Sequence, residues 1–381
     1  MSAGMLYTIG FVIALIIALI MTPLVKKFAF KIGAIDKPNH RKVHTRIMPR
    51  LGGLAIYIAF VAAFLLLLPF MPGDLLRPRD MNLIRALFTG GTLIIILGAF
   101  DDRLELSAKL KLVVQIAAAC VVVFGFGIKI DLVNVPFGDA MQPIASWVSI
   151  PLTIIWIVGV TNAINLIDGL DGLAAGVSGI AILTILIMAS LMGNEAIILL
   201  CVLLLGGIVG FMFFNFHPAK IFMGDSGSLF LGFSLATLSM LGFKQVTIVS
   251  FVTPLLVIGV PLSDTFFAIV RRKLNNRPIF EPDRGHLHHR LRDLGFSHRR
   301  TVLIIWGVAA IFGGFAIIQS AVVQSSAANW VTFGVICLIL FGLQIGAEIT
   351  GIVDKTRRPV INLFSRMLRI KVDAESRTHS K

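Results

Sequence analysis

The stretch IPLTIIWIVGVTNAINLIDGLDGLAAG, from Ile150 to Gly176, joins an apolar run to two Asn and two Asp residues spaced three apart. A charged Asp at the centre of a bilayer costs about 2.5–3.5 kcal/mol. These four polar residues are therefore expected at the membrane rim or in pairs. A plain polar turn is the alternative, but a turn needs only one or two such residues. The stretch predicts a membrane helix that ends in a polar site. The four residues are Asn162, Asn165, Asp168 and Asp171.

The composition extends this prediction to the whole chain. Hydrophobic residues make up 57% of the 381 residues and charged residues 14%, against roughly 45–50% and 25% in soluble domains. The mean hydropathy is +0.91. These values predict an all-α integral membrane protein, a polytopic bundle of about 11 transmembrane helices. The expected spans are roughly 5–25, 51–70, 84–100, 112–128, 148–166, 173–192, 195–214, 228–243, 246–270, 301–323 and 329–350.

The charge distribution predicts the orientation. The first apolar run has no preceding basic residue and no cleavage pattern, and Lys26-Lys27 follow it, which places the N-terminus outside and the C-terminus in the cytoplasm. The expected cytoplasmic segments are 26–50, 101–111, 166–172, 215–227, 271–300 and the tail from 351. They contain every Lys and Arg except Arg77, Arg79, Arg85, Lys129 and Lys244.

Two regions follow from this topology. Residues 1–350 are expected to form a transmembrane catalytic domain with cytoplasmic active-site loops, and residues 351–381 a basic cytoplasmic tail with an interfacial helix in INLFSRMLRI. Nucleic acid is not expected as a partner, because the basic loops lack interleaved aromatic residues. Polar motifs gathered on one face favour a membrane enzyme. A polyanion transporter, which should place polar groups near the midplane, and a non-catalytic lipid-binding scaffold are the alternatives.

Two motifs supply carboxylates. In GAFDDRLELSAKLK, Asp101 and Asp102 end one span and Lys111 opens the next, which suits a divalent ion or a proton acceptor beside a phosphate-holding lysine. A helix cap with solvated charges is the other interpretation. In FNFHPAKIFMGDSGS, Asp225 lies between two glycines before a span, which suits a metal or phosphate site. GDSG is not interpreted as a serine hydrolase motif, because no nucleophile elbow surrounds Ser226.

Two further motifs are basic. In DRGHLHHRL, the histidines have no zinc-site spacing and lie beside arginines, so they are interpreted as donors to a phosphate-rich ligand. The loop DKPNHRKVHTRIMPRLGG suits either phosphate or anionic lipid. Within a later span, Asp264 is expected to pair structurally with Arg271. The candidate phosphate-binding residues are Lys42, His44, Arg46, Arg50, Arg284 and Arg290, and the histidines are His286, His288 and His289.

Carboxylates for Mg²⁺ and cationic groups for phosphate oxygens are the components of phosphoryl transfer. In order, GAFDD, NAINLIDGLDGLAAG, NFHPAKIFMGDSGSLFLGF and RGHLHHRL resemble the polyprenyl-phosphate N-acetylhexosamine-1-phosphate transferases (glycosyltransferase family 4), over nearly the whole chain. The resemblance implies transfer of a sugar 1-phosphate from a UDP-sugar to undecaprenyl phosphate at the cytoplasmic membrane, with release of UMP. It also implies Mg²⁺, with Mn²⁺ as a substitute, and leaves a homodimer open.

The resemblance also implies individual roles. Asp225 and Asn165 would bind the metal, and Asp101 and Asp102 match the acidic pair that acts on the lipid phosphate. Glu105 replaces the usual third Asp, which makes that position a doubtful ligand. Lys111 and the three histidines would contact the diphosphate and sugar. The implied nucleotide-binding residues are Phe222, which would stack on uracil, together with Asp168, Gly169, Leu170, Asp171 and Asn215.

The resemblance is strongest to the branch that uses UDP-N-acetylglucosamine (UDP-GlcNAc) to start teichoic acid, O-antigen or a similar polymer. The alternative is the peptidoglycan enzyme that uses UDP-MurNAc-pentapeptide and carries three consecutive histidines followed by Glu. Here the run is His286-Leu-His288-His289-Arg290, which favours the simpler sugar. A direct attack by the lipid phosphate is preferred over a covalent phospho-enzyme.

Overall fold

The computed structural model describes residues 2–37, 46–71, 73, 78–130, 132–133, 142–241, 252–274 and 285–322, together with 334, 342 and 348. Helices make up nearly all of the regular structure in these residues. Their bounds are α1 (Ala3–Ile32), α2 (Gly52–Leu67), α3 (Pro78–Leu104), α4 (Ala108–Cys120), α5 (Ser146–Ile167), α6 (Leu173–Leu191), α7 (Glu195–Asn215), α8 (Gly224–Leu241), α9 (Val252–Val257), α10 (Gly259–Leu274), α11 (Leu287–Asp293) and α12 (His298–Val322). A 3₁₀ turn, Leu68–Phe70, continues α2, and a π-helical turn, Val121–Gly125, continues α4.

The helical membrane architecture is confirmed. Eight of the described helices are long and apolar enough to cross a membrane. They correspond to the first seven expected spans and to the expected span 301–323. The expected span 228–243 coincides with α8, which is not among those eight. The expected span 246–270 lies partly outside the described residues, and the expected span 329–350 lies almost wholly outside them. The tail 351–381 lies wholly outside them.

Within the described part of 246–270 the prediction of one continuous helix is wrong. The chain forms α9 and α10, separated at Ile258. Gly259 begins α10 and Pro261 lies in its first turn, where the missing N–H of proline leaves no hydrogen bond unmade. The break therefore has a local cause in the sequence IGVP.

Helix α8 is the centre of the bundle. Every residue from Ser226 to Met240 is buried, and α8 packs against α2, α3 and α5. The indole of Trp156 on α5 donates to the Ala236 carbonyl at 3.3 Å. In contrast, α1 exposes a row of large apolar residues, including Val12, Ile16 and Ile20, as expected for a face that meets lipid. The core thus lies around α8 and the lipid-facing surface lies on the outer helices.

Two glycines allow α8 to approach its neighbours closely. A Cβ on Gly53 of α2 would overlap the backbone of Gly227, and a Cβ on Gly98 of α3 would overlap the backbone at Ser226. Small residues at such crossings let helix backbones approach in membranes. The first turn of α8 is therefore clamped between α2 and α3, and this contact brings GDSG beside GAFDD.

A short antiparallel hairpin closes the same end of the bundle. Its strands are β1 (Ile35–Asp36) and β2 (Met48–Pro49). At the end of β2, the Phe222 amide donates to the Pro49 carbonyl at 2.9 Å, and beyond it the Gly52 amide donates to the Phe222 carbonyl at 3.0 Å. The chain following the basic loop is thus fixed directly to the segment that precedes α8. A second hairpin pairs β3 (Leu132–Val133) with β4 (Gln142–Pro143).

Candidate active site

Three helix ends meet around one lysine. The Lys111 ammonium, at the start of α4, lies 3.0 Å from Asp101 Oδ2 on α3 and 2.8 Å from Asp225 Oδ2 on α8. The other oxygen of Asp101 accepts from the Leu106 amide at 2.7 Å. The expected neighbourhood of GAFDD, the lysine and GDSG is therefore present. We call Asp101, Asp102, Asp168, Asp225 and Lys111 the acidic cluster.

Asp102 binds the N-terminus of another helix. Its Oδ1 accepts from the Asp225 amide at 2.8 Å, and its Oδ2 accepts from the Ser226 amide at 3.1 Å and the Ser226 hydroxyl at 2.7 Å. Only 3% of the residue is exposed. A carboxylate at a helix N-terminus satisfies amides that have no partner within the helix and complements the helix dipole. Asp102 thus caps α8 from α3, which fixes the position of Asp225.

The opening stretch divides between helix and turn. Asn162 and Asn165 lie on α5, which ends at Ile167, while Asp168 and Asp171 lie in the turn before α6. The expected span 148–166 and the expected loop 166–172 divide the four residues in the same way. Asn162 exchanges hydrogen bonds with Gln115 of α4, its Nδ2 donating to Gln115 Oε1 at 2.5 Å. Asn165 Nδ2 donates to the Ser228 hydroxyl at 2.9 Å.

Asp168 has a distinctive environment. Among the described residues, its carboxyl group makes no hydrogen bond. Burial, together with the negative charges of Asp225 and Asp102, raises the pKa of Asp168 to about 8. Opposing these effects, the positive charge of Arg50 lowers the pKa. A neutral carboxyl group beside two carboxylates at pH 7 is the state expected where a cation would otherwise balance the charge.

The donor set fits a hard divalent cation. Asp225 and Asp168 offer carboxylate oxygens, and Asn165 retains its Oδ1 because Nδ2 is engaged with Ser228. Oxygen donors of this kind are those that Mg²⁺ prefers. The negative charges of Asp225 and Asp102 act on Asp168, after burial, in raising its pKa, which agrees with a site that attracts a cation. Asp102 fits less well, because both of its oxygens are occupied by α8.

The expected nucleotide residues lie around the turn between α5 and α6. The Asn215 side chain accepts from the Gly172 amide at 3.0 Å and donates to the Ile221 carbonyl at 3.0 Å, so it links this turn to the segment that carries Phe222. Gly172 has a positive φ of 74°, which favours glycine. Leu170 is buried. The Asn215 side chain therefore holds the α5–α6 turn and the segment before Phe222 together through these backbone groups.

The histidine segment reaches the same turn from α11. His288 is 2% exposed and its ring lies so close to Gly169 that a Cβ there would overlap Nε2. Burial, with the neighbouring His289, lowers the pKa of His288 to about 3, so the ring is neutral. The rings of His288 and His289 are 4.2 Å apart between centroids. The segment DRGHLHHRL and the segment LIDGLDG are thus in contact.

The pairing expected for Asp264 is wrong. Its Oδ2 lies 2.9 Å from His286 Nδ1, and its Oδ1 accepts from the Leu287 amide at 2.8 Å. Arg271 instead lies against Gly285, where an added Cβ would meet its guanidinium. The carboxylate of Asp264 therefore holds the start of α11 and orients His286, rather than compensating a charge on its own helix.

The basic residues are only partly within the described chain. Lys42, His44 and Arg284 lie outside the described residues. Arg50 forms an ion pair with Asp36 across the β1–β2 hairpin at 3.0 Å, and Arg46 is exposed. Arg290 lies on α11 between the histidines and Leu291. The positive charge of Arg50 lowers the pKa of Asp168, so this end of the hairpin lies near the acidic cluster.

Sequence reasoning gave no role to His217 and His298. The structure places His217 Nδ1 2.7 Å from Asp171 Oδ2 and His298 Nε2 4.0 Å from the same oxygen. His217 belongs to the quoted NFHPAK, so its position beside the site was visible in the sequence. His298 begins α12, and its spacing from Asp171 along the chain offers no signal of contact.

Helix-end carboxylates gathered around an ammonium group, beside the buried histidine segment and within a membrane bundle, define a membrane enzyme that acts on a phosphate-bearing substrate. Residues 84–243 match the family described as Glycosyl transferase family 4. This match covers α4 to α8 and all but the beginning of α3, and so includes all five residues of the acidic cluster.

Similar proteins extend the match to nearly the whole chain. A probable undecaprenyl-phosphate N-acetylglucosaminyl 1-phosphate transferase of Bacillus subtilis (strain 168) is 46% identical over 362 residues, 95% of this chain and 97% of its own length. A decaprenyl-phosphate N-acetylglucosaminephosphotransferase of Mycolicibacterium smegmatis is 36% identical over 77% of each chain. An undecaprenyl-phosphate alpha-N-acetylglucosaminyl 1-phosphate transferase of Salmonella typhi is 29% identical over 77% of this chain and 78% of its own. The chain belongs to glycosyl transferase family 4, as its motifs predicted.

Proposed function

We propose that this protein transfers N-acetylglucosamine 1-phosphate from UDP-GlcNAc to undecaprenyl phosphate at the cytoplasmic face of the cell membrane. The products are undecaprenyl-diphospho-N-acetylglucosamine and UMP, and the reaction begins a cell-envelope polysaccharide. The 46% identity to the Bacillus subtilis transferase over 95% of the chain supports this substrate pair.

The observation that carries the proposal is the contact of Lys111 with both Asp101 and Asp225. Attack by a lipid phosphate on the β-phosphorus of a UDP-sugar brings two anionic groups together. A positive charge held at the point where three helix ends meet would offset that repulsion. Lys111 is 24% exposed at its side chain, so a phosphate oxygen can reach it.

Asp225, Asn165 and Asp168 are proposed to hold Mg²⁺, or Mn²⁺ in its place. When bound, the ion would supply positive charge to the diphosphate and stabilise the leaving UMP. Asp225 is held in place by the Asp102 cap, and Asn165 by Ser228. The protein's own contribution is to keep these oxygen donors together at one end of the bundle.

Asp101 is proposed as the proton acceptor for the lipid phosphate, and Asp102 as a positioning residue. The hydrogen bonds of Asp102 are directed at the buried N-terminus of α8, whereas Asp101 faces the ammonium of Lys111. The neutral His288 and the Asp264-oriented His286 would donate to phosphate or sugar oxygens. Phe222 and the turn from Gly169 to Asp171 are proposed to bind the uracil.

Release of radiolabelled UMP by the purified full-length protein tests the function. We expect turnover with UDP-GlcNAc and undecaprenyl phosphate, and little with UDP-GalNAc or UDP-MurNAc-pentapeptide. Preference for the pentapeptide substrate would replace this proposal by the peptidoglycan reaction. Absence of UMP release with every donor, from protein that binds UDP-GlcNAc, would contradict an enzymatic role.

The stereochemical course at phosphorus tests the mechanism separately. Direct attack by the lipid phosphate inverts the configuration of a chiral β-phosphorus. Net retention would require two displacements and would replace direct attack by a covalent phospho-enzyme.

A further inference from the structure

A second cluster of ligating side chains lies beside the predicted nucleotide turn. Around Asp171 Oδ2, the Nδ1 atom of His217 lies at 2.7 Å, the Ala219 amide at 3.1 Å and His298 Nε2 at 4.0 Å. One ligand atom from each of Asp171, His217 and His298 lies within 4.8 Å of the others. The three residues come from three different parts of the chain, and we call them the Asp171 cluster.

The hydrogen bonds of the protein leave this cluster incomplete. The His298 side chain is only 10% exposed, and its Nε2 makes no hydrogen bond within the described part of the chain. An unsatisfied buried polar atom destabilises a folded protein. The two imidazole rings stack at 4.1 Å between centroids and 19° between planes, with both directed at one carboxylate oxygen. A ligand that accepts electron pairs would satisfy all three groups.

The chemistry of the donors selects the type of ligand. Two imidazole nitrogens and one carboxylate oxygen suit Zn²⁺ and similar transition metals, whereas oxygen-only donors suit Mg²⁺. The proposed Mg²⁺ site, with the carboxylates of Asp225 and Asp168 and the carboxamide of Asn165, therefore differs in kind from the Asp171 cluster. We propose that Asp171, His217 and His298 form a binding site for a zinc-like divalent ion, separate from the Mg²⁺ site.

Charge and access agree with this assignment. The cluster contains one carboxylate, that of Asp171, which attracts a dication. The positive charge of Arg292 also acts on His298 and opposes the ion, so we expect weaker binding than in a closed structural zinc site. The His217 side chain is 37% exposed and gives the ion a path from solvent. Three protein ligands leave a fourth position for water or a ligand.

The position of the cluster gives it a consequence, which rests on the proposed function. Asp171 is proposed to bind the uracil edge, so a bound zinc ion and a uridine nucleotide would use the same carboxylate. The two are then expected to compete, and zinc would inhibit the enzyme by raising the KM for UDP-GlcNAc without displacing Mg²⁺.

Metal binding without substrate tests the site. Purified full-length protein in detergent, saturated with Mg²⁺, is titrated with Zn²⁺ in equilibrium dialysis and with Co²⁺ as a spectroscopic substitute. We expect one bound equivalent of Zn²⁺ per protein, and visible absorption bands typical of four-coordinate Co²⁺. Both signals should be lost in His298→Ala and in His217→Ala. His298→Gln serves as a second variant, in case the alanine leaves a destabilising cavity.

His289→Ala is the matched control, because it removes an imidazole from the neighbouring histidine segment and should leave the zinc equivalent in place. Loss of zinc in that variant, or retention in both His217→Ala and His298→Ala, would overturn the site. UMP should weaken zinc binding to the wild-type protein. If zinc binds as expected and UMP has no effect, the competition is refuted together with the uracil role of Asp171, while the metal site stands.

Discussion

Substitution of Asp102 by Asn tests whether this residue positions α8 or takes a proton. The buried carboxylate accepts three hydrogen bonds, one from the Asp225 amide and two from Ser226. An Asn side chain retains one acceptor oxygen, which can keep the bond to the Asp225 amide. Its NH₂ group then faces the Ser226 amide, so two bonds to a charged acceptor are lost. At about 1.5–3 kcal/mol each, the expected loss in the free energy of unfolding is about 3–6 kcal/mol.

A double-mutant cycle with Ser226→Ala isolates the contact. Ser226→Ala alone removes the 2.7 Å bond from the hydroxyl to Asp102, with the longer 3.4 Å contact to the Met223 carbonyl, and should cost about 1.5–3 kcal/mol. In the Asp102→Asn background that bond is already absent, so the second substitution should add little. The unfolding of the four proteins in detergent, followed by tryptophan fluorescence, gives the coupling energy.

The activity of the same proteins completes the test. UMP release should fall in parallel with stability in Asp102→Asn, because Asp225 moves, and the remaining activity should keep the wild-type pH profile. Asp101→Asn is the matched control, in which turnover should fall much more than stability. An Asp102→Asn protein with wild-type unfolding and no turnover would refute the positioning role and identify Asp102 as the proton acceptor.

Three other substitutions follow from the same geometry. Gly98→Ala should lower both stability and UMP release, because its Cβ would overlap the backbone at Ser226. Gly314→Ala is the control and should change neither, because a Cβ there meets open space. Equal unfolding curves for the two variants would contradict the close packing of α3 on α8. Asp168→Asn should abolish turnover and yet stabilise the protein in EDTA above about pH 8. The pKa of Asp168 is raised to about 8, so the wild type loses stability as the pH rises from about 4 towards 8. Thermal unfolding of both proteins at pH 5 and pH 8.5 measures this loss. If the stability of Asp168→Asn relative to the wild type is the same at both pH values, the raised pKa is refuted. Asp264→Asn should lower kcat more than it raises the KM for UDP-GlcNAc, because His286 loses its orienting carboxylate, and steady-state kinetics that show only a KM effect would count against this role.

Much of the fold follows from the sequence for a simple reason. A bilayer requires long apolar helices, so eight spans could be located from apolar runs alone. The break between α9 and α10 was missed although Gly259 and Pro261 mark it, because both residues lie within an apolar run. Hydropathy alone does not separate one long helix from two short ones.

The motifs that form the site could be predicted from the sequence, but the side-chain contacts between them could not. Polar residues that interrupt apolar runs identified Asp101, Asp225 and the turn at Asp168. The bond from Ser226 to Asp102 joins residues far apart in the chain, and no local spacing predicts it. Asp264 shows the same limit, because helical spacing suggested Arg271 while the partner, His286, returns from another segment.

The burial of α8 also has a consequence for how the protein is made. Its Ser, Thr and Gly residues make it less suited to lipid than the eight apolar helices, and every side of it contacts protein. Helices α1 to α7 precede it in the chain, so the groove formed by α2, α3 and α5 is already synthesised when α8 leaves the ribosome. The helix that carries Asp225 can therefore enter the membrane against partner helices rather than against lipid, and the order of translation matches the order in which the site is assembled.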